Sequence, residues 1–104
     1  MVIDWSDTAR IRLHEIFHYY ETEINRKKAF EVVTKITSKV ASLEAFPEQA
    51  AKEPLLEERT KNYRSLVVVK IFKVVYYIED EVVNIADIWD CRQSPETNVK
   101  KIKK

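Results

Sequence analysis

The sequence contains no glycine and only one cysteine, Cys91, among its 104 residues. Without glycine the chain has no residue that enters left-handed backbone conformations freely, and it cannot form a glycine-rich phosphate-binding loop. A single cysteine cannot form an internal disulfide, which favours a cytoplasmic location over secretion. The N-terminus lacks the pattern of a signal peptide, and no apolar run approaches the roughly 18 residues that indicate a membrane helix.

The chain also lacks a strong net charge of either sign, since its formal net charge is +1. Any attraction to nucleic acid must therefore come from a local patch of the surface. The length of 104 residues and the hydrophobic content of 45% suit one domain with a substantial core. Basic residues weakly outnumber acidic ones over residues 47–78, and acidic residues dominate over residues 79–98. This distribution is compatible with an RNA-binding or a protein-binding surface.

The N-terminal half shows the apolar periodicity of two helices that follow a short strand at residues 2–5. Ser6 and Asn25 stand where helix N-caps are expected. Apolar residues then recur in steps of three and four. The two series are Ala9, Leu13, Ile16, Tyr20 and Ile24, and Ala29, Val33, Ile36, Val40 and Leu43. The short polar break between them predicts an antiparallel helical hairpin, which Phe46-Pro47 ends.

The C-terminal half is rich in β-branched and aromatic residues, a composition typical of strands. Three such segments, at residues 63–69, 72–78 and 82–89, predict a meander. Continuous apolar stretches within them predict that part of the sheet is covered on both faces, one of them by the helical hairpin. We therefore predict an α+β fold of order β-α-α-β-β-β, with the hairpin packed on a mainly antiparallel four-stranded sheet. Cys91, near the end of the last segment, is expected to be buried as a small hydrophobic residue.

This order of elements resembles the RelE/ParE superfamily, the toxins of bacterial type II toxin–antitoxin pairs. Specific residues carry the resemblance along the chain. They are Trp5-Ser6, Phe46-Pro47, Tyr63-Arg64-Ser65-Leu66, Phe72-Lys73-Val74-Val75-Tyr76 and the strand that leads to Arg92. The resemblance covers residues 2–95. We expect a toxin domain over residues 1–95 and a loose, polar, basic tail over residues 96–104.

Members of the superfamily differ in their targets. ParE-like toxins inhibit DNA gyrase, whereas RelE-like toxins are ribosome-dependent mRNA endoribonucleases. The nuclease reaction needs cations beside the scissile phosphate and an acid–base group for the 2′-hydroxyl. Arg64, Lys73 and Arg92 match basic positions of the family, and they are the candidate phosphate-contacting or target-contacting residues.

Two departures from the nuclease pattern stand out. Leu66 occupies the place of a further basic residue, and Gln93 follows Arg92 where a catalytic Tyr or His is expected. The resemblance therefore favours a ParE-like growth inhibitor of the plasmid-stabilisation type that acts on DNA gyrase, with the mRNA endoribonuclease as the alternative. It also implies a cognate antitoxin that folds on binding, in a toxin–antitoxin hetero-oligomer. No cofactor and no membrane association are expected.

The three basic residues also fit ordinary structural roles. Arg64 and Lys73 suit solvent-facing strand positions that pair across a sheet. Arg92 suits a surface ion pair with Asp87 or Asp90, which are close in sequence.

A literal H-E-x-x-H sequence spans residues 14–18 of the first predicted helix. His14 and His18 share a helical face, so they meet the spacing of a zinc site with Glu15 as general base. No later histidine supplies a third ligand. Two solvated histidines on an amphipathic helix are the favoured interpretation, and a zinc hydrolase is a remote alternative.

Overall fold

The structure is a computed structural model that describes residues 1–100 and 102. Its four strands and three helices include the predicted β-α-α-β-β-β order. They are β1 (Val2–Trp5), α1 (Asp7–Glu23), α2 (Arg26–Ala41), β2 (Arg64–Val68), β3 (Phe72–Glu79), β4 (Val82–Asp90) and α3 (Pro95–Lys100). Short 3₁₀ turns lie at Ser42–Glu44 and Pro54–Leu56. No helix in this described part of the chain is long and apolar enough to cross a membrane.

The four strands form one sheet in the order β1-β4-β3-β2. The first strand of the chain therefore lies beside the last one, and these two run parallel, with Val2 opposite Val82. The other neighbours are antiparallel, which confirms the predicted α+β fold. A bulge interrupts the β3–β4 pairing, since Val75 lies opposite Asp87 but Tyr76 lies opposite Ile85.

Both predicted N-caps start their helices. The Ser6 hydroxyl accepts a hydrogen bond from the Ala9 N–H (3.0 Å) and donates one to the Ala86 carbonyl (2.9 Å), so the cap also fastens α1 to β4. The Asn25 side chain accepts from the Lys28 N–H (2.8 Å). Helix α2 ends at Ala41. The 3₁₀ turn that follows, Ser42–Glu44, keeps Leu43, the last residue of the predicted apolar stripe, buried.

The main core lies between the helical hairpin and one face of the sheet, which we call the helix-side face. The α2 stripe buries Val32 fully and the predicted Val33 only partly. Buried residues that meet here come from both helices and from three strands. They include Ile16, Tyr20, Ile36, Leu66, Phe72, Val74, Tyr76 and Ile88.

A second, smaller core covers the opposite face of the sheet, as the continuous apolar stretches predicted. It is built from Leu56, Tyr63, Val75, Trp89 and Ile102, with Val99 packed against it. The C-terminal segment is therefore partly attached and differs from the loose tail expected at residues 96–104. The reason is that Val99 and Ile102 are three residues apart and lie on one side of an otherwise polar segment. The predicted tail residues 101, 103 and 104 lie outside the described residues.

Left-handed turns occur despite the absence of glycine. Positive φ angles are adopted by Val69 (46°), Lys70 (66°), Asp80 (55°) and Glu81 (59°). Each non-glycine residue in this region costs roughly 1–2 kcal/mol. Both β-hairpins of the meander therefore turn on strained residues.

Candidate functional site

Arg64 lies at the start of β2, on the helix-side face. It stands opposite Tyr76 in the β2–β3 pairing. Its Nη1 donates to the Ala50 carbonyl (2.6 Å), and the Tyr76 hydroxyl donates to the Pro47 carbonyl (2.8 Å). The two side chains together hold the loop over residues 47–50 against the sheet. Arg64 therefore anchors this loop through its guanidinium.

Lys73 lies on the opposite face, because it stands opposite Trp89, a residue of the second core. Its Nζ lies 2.7 Å from Oε1 of Glu53, whose side chain is fully buried. Oε2 of the same carboxylate accepts from the Leu55 N–H (2.9 Å) at the start of a 3₁₀ turn. Burial acts to raise the pKa of Glu53, but hydrogen bonds from Lys73, Leu55 and Ser65 outweigh it and lower the pKa. Glu53 is therefore a buried carboxylate with a neutralising cation.

Arg92 follows the end of β4 and is exposed. Its Nε and Nη2 donate to the two carboxylate oxygens of Asp90, at 3.0 and 2.8 Å. These hydrogen bonds raise the pKa of Arg92 further above its usual range, so it stays a cation. Of the two carboxylates expected in sequence, Asp90 is the one that pairs with it.

The structure therefore does not gather the three predicted basic residues. Arg64 and Lys73 point to opposite faces of the sheet. Arg92 stands beyond the strand end, near α1. No single phosphate group can contact Arg64 and Lys73 together through the intervening sheet.

Arg92 instead borders a cleft of about 400 Å³ where α1 crosses the ends of β3 and β4. The cleft is lined mainly by Arg12, Glu15, Tyr19, Tyr20, Asp90 and Arg92. Tyr20 is buried, whereas Tyr19 is 49% exposed at the rim. Arg92 is the one candidate residue from the sequence that lies in this cleft. The one sequence sign of the cleft is the exposed aromatic Tyr19 beside the apolar stripe of α1.

Both arginines of this cleft are paired with carboxylates. Arg12 Nη1 lies 2.7 Å from Glu15 Oε1, and Arg12 Nε lies 3.3 Å from Oδ1 of the buried Asp87. Arg92 is paired with Asp90. Arg12 and Arg92 are thus matched by the two carboxylates of the lining, Glu15 and Asp90, and the buried Asp87 adds a third negative charge, so the cleft has no positive excess to attract a phosphodiester.

The H-E-x-x-H sequence lies on the outer surface of α1. His14 and His18 are both exposed, which confirms the interpretation as solvated histidines. Within residues 1–100 and 102, no group of three or more His, Cys, Asp or Glu side chains is placed to hold a metal ion.

Cys91 is exposed, so the expectation of a buried small hydrophobic residue is wrong. The chain leaves the sheet at Asp90, and the residue after it therefore turns towards solvent. The partial burial of the sulfur still raises the pKa of the Cys91 thiol, although nearby Lys73 opposes this. A raised pKa makes the thiolate scarce, so Cys91 is a poor nucleophile.

Comparison with known proteins identifies the family. Residues 3–95 match the family model described as the ParE toxin of the type II toxin–antitoxin system parDE. The chain belongs to the ParE toxin family. This confirms the resemblance to a RelE/ParE toxin of the ParE-like type, and it agrees with the β-α-α-β-β-β order and sheet described above.

A solved structure agrees with this family at the level of the fold. A chain of the chromosomal ParDE TA system from P. aeruginosa superposes with a TM-score of 0.73 and 24% sequence identity. The alignment covers 86% of this chain and 95% of that chain. No curated protein gives a significant match to the sequence.

Proposed function

We propose that this ParE-family toxin arrests bacterial growth by binding DNA gyrase in the cytoplasm, and that a cognate antitoxin neutralises it by binding. The proposal treats the protein as an inhibitor that performs no chemistry of its own. Its main support is the placement of Arg64 and Lys73 on opposite faces of the sheet.

A ribonuclease of the RelE type needs several cations around one scissile phosphate. Here Lys73 is committed to the buried Glu53, and Arg64 is committed to the Ala50 carbonyl. Freeing Lys73 would leave a buried carboxylate without its cation, which is strongly unfavourable. These commitments count against the mRNA endoribonuclease.

The cleft beside Arg92 is the proposed contact with the target. Tyrosine and arginine, together with tryptophan, are the residue types most enriched among the residues that dominate the energy of protein interfaces. The exposed Tyr19 and Arg92 share this cleft, and its lack of excess positive charge suits a protein surface better than a nucleic acid. We therefore keep Arg92 as the proposed target-contacting residue. Arg64 and Lys73 instead stabilise the fold through their contacts with Ala50 and Glu53.

Induced expression in bacteria that lack the antitoxin tests the proposal. Growth, bulk translation and the supercoiling of a reporter plasmid are followed in the same culture. We expect growth arrest with an early loss of negative supercoiling, and a later fall in translation. An immediate fall in translation with unchanged supercoiling would instead identify the mRNA endoribonuclease. Normal growth, with folded protein verified in the cells, would contradict toxin activity altogether.

A further inference from the structure

Helix α2 concentrates positive charge on a chain that is nearly neutral. It has one acidic residue, Glu31, and five basic residues, which are Arg26, Lys27, Lys28, Lys35 and Lys39. The helix therefore has a net charge of +4 (five minus one), whereas the whole chain has a net charge of +1. The rest of the chain carries −3 (+1 minus +4), so positive charge is segregated on α2. Such a surface attracts polyanions although the net charge of the protein is small.

Three lysines of α2 carry charge that the fold does not neutralise. Within the part of the chain that the structure describes, Lys27, Lys35 and Lys39 form no ion pair, and all three are exposed. Glu31, the one carboxylate of α2, lies 3.7 Å from the ammonium of Lys28. It is therefore matched by a different lysine of the same helix, and the three exposed lysines leave a local positive excess.

The turn between β2 and β3 adds a fourth lysine to this surface. A groove of about 400 Å³ is lined by Lys35 and Lys39 of α2 and by Val69 of the turn. Lys70 follows Val69, is exposed, and likewise forms no ion pair among the described residues. Both turn residues have positive φ, 46° and 66°, and non-glycine residues held in this conformation cluster at functional sites. We call Lys27, Lys35, Lys39 and Lys70 the lysine face.

The lysine face has a length and a set of polar groups that suit a DNA backbone. The helical rise from residue 27 to residue 39 is about 18 Å, which spans about five base pairs of a duplex at roughly 3.4 Å each. The exposed residues Thr34 and Ser38 lie along α2 between the lysines and line the same groove. Lysine ammonium groups and Ser or Thr hydroxyls are common donors to phosphate oxygens. The face therefore combines charge with neutral donors, as a surface for phosphate groups requires.

From this arrangement we infer that the lysine face binds the phosphate backbone of duplex DNA. That this DNA is the segment held by gyrase rests on the proposed function. The toxin then contacts the complex of gyrase and DNA through two surfaces, since the cleft beside Arg92 contacts the protein and the lysine face contacts the DNA. Backbone contacts carry no sequence information, so the lysine face strengthens binding to gyrase on any DNA sequence.

Two other kinds of partner fit the lysine face less well. Single-stranded nucleic acids bind where bases stack on free aromatic rings. Phe30 is the one aromatic residue of α2, and the Arg26 guanidinium lies over its ring, 5.6 Å from the ring centroid. Protein interfaces are depleted in lysine and enriched in aromatic residues and arginine. That composition is found in the cleft beside Arg92 and is the reverse of the composition of the lysine face.

Charge-matched variants of the purified toxin test the inference through the salt dependence of DNA binding. The probe is a short, fluorescently labelled DNA duplex of mixed sequence, followed by anisotropy over a series of salt concentrations. Each phosphate contact contributes about −0.9 to the slope of log K against log salt, so four lysines predict a slope of about −3.6. Lys35→Gln with Lys39→Gln should reduce its magnitude by about 1.8 and weaken binding about tenfold or more at low salt. The control, Lys52→Gln with Lys100→Gln, changes two exposed lysines outside the face and should keep the wild-type slope.

Three results would overturn the inference. The first is no binding of the duplex by the wild-type toxin at low salt. The second is a wild-type slope in the Lys35→Gln and Lys39→Gln variant, since the DNA would then bind elsewhere on the toxin. The third is tighter binding of a single-stranded RNA or of poly-glutamate than of the duplex, lost in the same variant, which would identify a surface for RNA or for an acidic protein. All four substitutions are at exposed positions, so equal melting temperatures verify that each variant is folded.

Inhibition of gyrase by the same variants separates this inference from the proposed function. Supercoiling by purified gyrase is measured at low salt over a range of toxin concentrations. The lysine-face variant should inhibit about tenfold more weakly than wild type, and the control should stay within about threefold. Equal potency of the lysine-face variant and wild type would overturn the contact with gyrase-held DNA and leave the proposed function intact. A wild-type toxin that binds the duplex through the lysine face but does not inhibit gyrase would overturn the proposed function and support the DNA-binding surface.

Discussion

The ammonium of Lys73 lies 2.7 Å from a carboxylate oxygen of Glu53, and the Glu53 side chain is fully buried. A cation that the family resemblance marked as a candidate for target contact thus neutralises a buried charge. The same carboxylate caps the 3₁₀ turn at Pro54–Leu56, which contributes Leu56 to the second core. Lys73 therefore stabilises the loop that covers the sheet face opposite the helical hairpin.

Replacing the buried carboxylate should destabilise the fold in a pH-dependent way. Glu53→Gln removes the charge but keeps the shape, and we expect a loss of about 1–3 kcal/mol at neutral pH by urea denaturation. The pKa of Glu53 is lowered from 4.5 in the folded state, so its stabilisation is complete above this value and is lost as the pH falls through the folded pKa. The difference from wild type should therefore shrink in acid. The exposed Glu57→Gln serves as the control, and equal stability of both variants at pH 7 would contradict the assigned role.

Substitutions in the turn between β3 and β4 should increase the stability of the fold. Asp80 and Glu81 both have positive φ, and a two-residue hairpin turn of this kind prefers Asn-Gly. The double change Asp80→Asn and Glu81→Gly should raise the free energy of unfolding by about 1–2 kcal/mol, seen as a higher melting temperature. The matched change Asp80→Ser and Glu81→Ala offers no left-handed preference and should give no gain. Equal melting temperatures of the two double variants would show that the turn is not strained.

The C-terminal segment should contribute to stability. Ile102 is 5% exposed and packs in the second core, and the Arg59 guanidinium donates to the Val99 carbonyl at 3.1 Å and to the Ile102 carbonyl. Ile102→Ala should cost about 2–4 kcal/mol in chemical denaturation. Lys100→Ala, at an exposed position of α3, should cost little. Comparable stabilities would mean that the segment is detached and that the loose tail expected from composition is correct.

Two exposed side chains should carry target binding. Tyr19→Ala or Arg92→Ala should each weaken inhibition of purified gyrase about tenfold or more, since a Tyr or Arg that is a hot spot of an interface contributes about 2 kcal/mol or more. Both residues lie at the surface, so the melting temperature should change little. Ile11→Ala and Arg10→Ala on the exposed side of α1 are the matched controls. Loss of inhibition in the controls but not in the cleft variants would show that the target binds elsewhere on the hairpin.

Much of the fold was predictable because local rules dominate it. Ser6 and Asn25 cap the helices as expected, since each supplies an oxygen to a free N–H of the first turn. The meander followed from strand composition and short polar breaks. Pairing of β1 with β4 did not, because contacts between the two ends of the chain leave no periodic pattern. Val99 and Ile102 were overlooked because lysines dominate the composition around them.

The candidate site was less predictable than the fold. The sequence predicted that Arg64 and Lys73 lie on neighbouring strands. The sheet face on which each side chain lies depends on strand register, because a shift of one residue moves every side chain to the opposite face. Glu53 sits in an irregular loop, so its burial beneath Lys73 had no sequence signature. Arg12 and Tyr19 reach Arg92 only because α1 crosses the end of β4.

The most direct test of the central claim uses the purified full-length toxin in two parallel assays. One measures supercoiling by gyrase, and the other measures cleavage of ribosome-bound mRNA. An inhibitor without chemistry of its own should block supercoiling at concentrations that leave the mRNA intact, and purified antitoxin should relieve the block. Cleavage of ribosome-bound mRNA that is lost in the Arg64→Ala and Lys73→Ala double variant, with gyrase unaffected, would contradict the account.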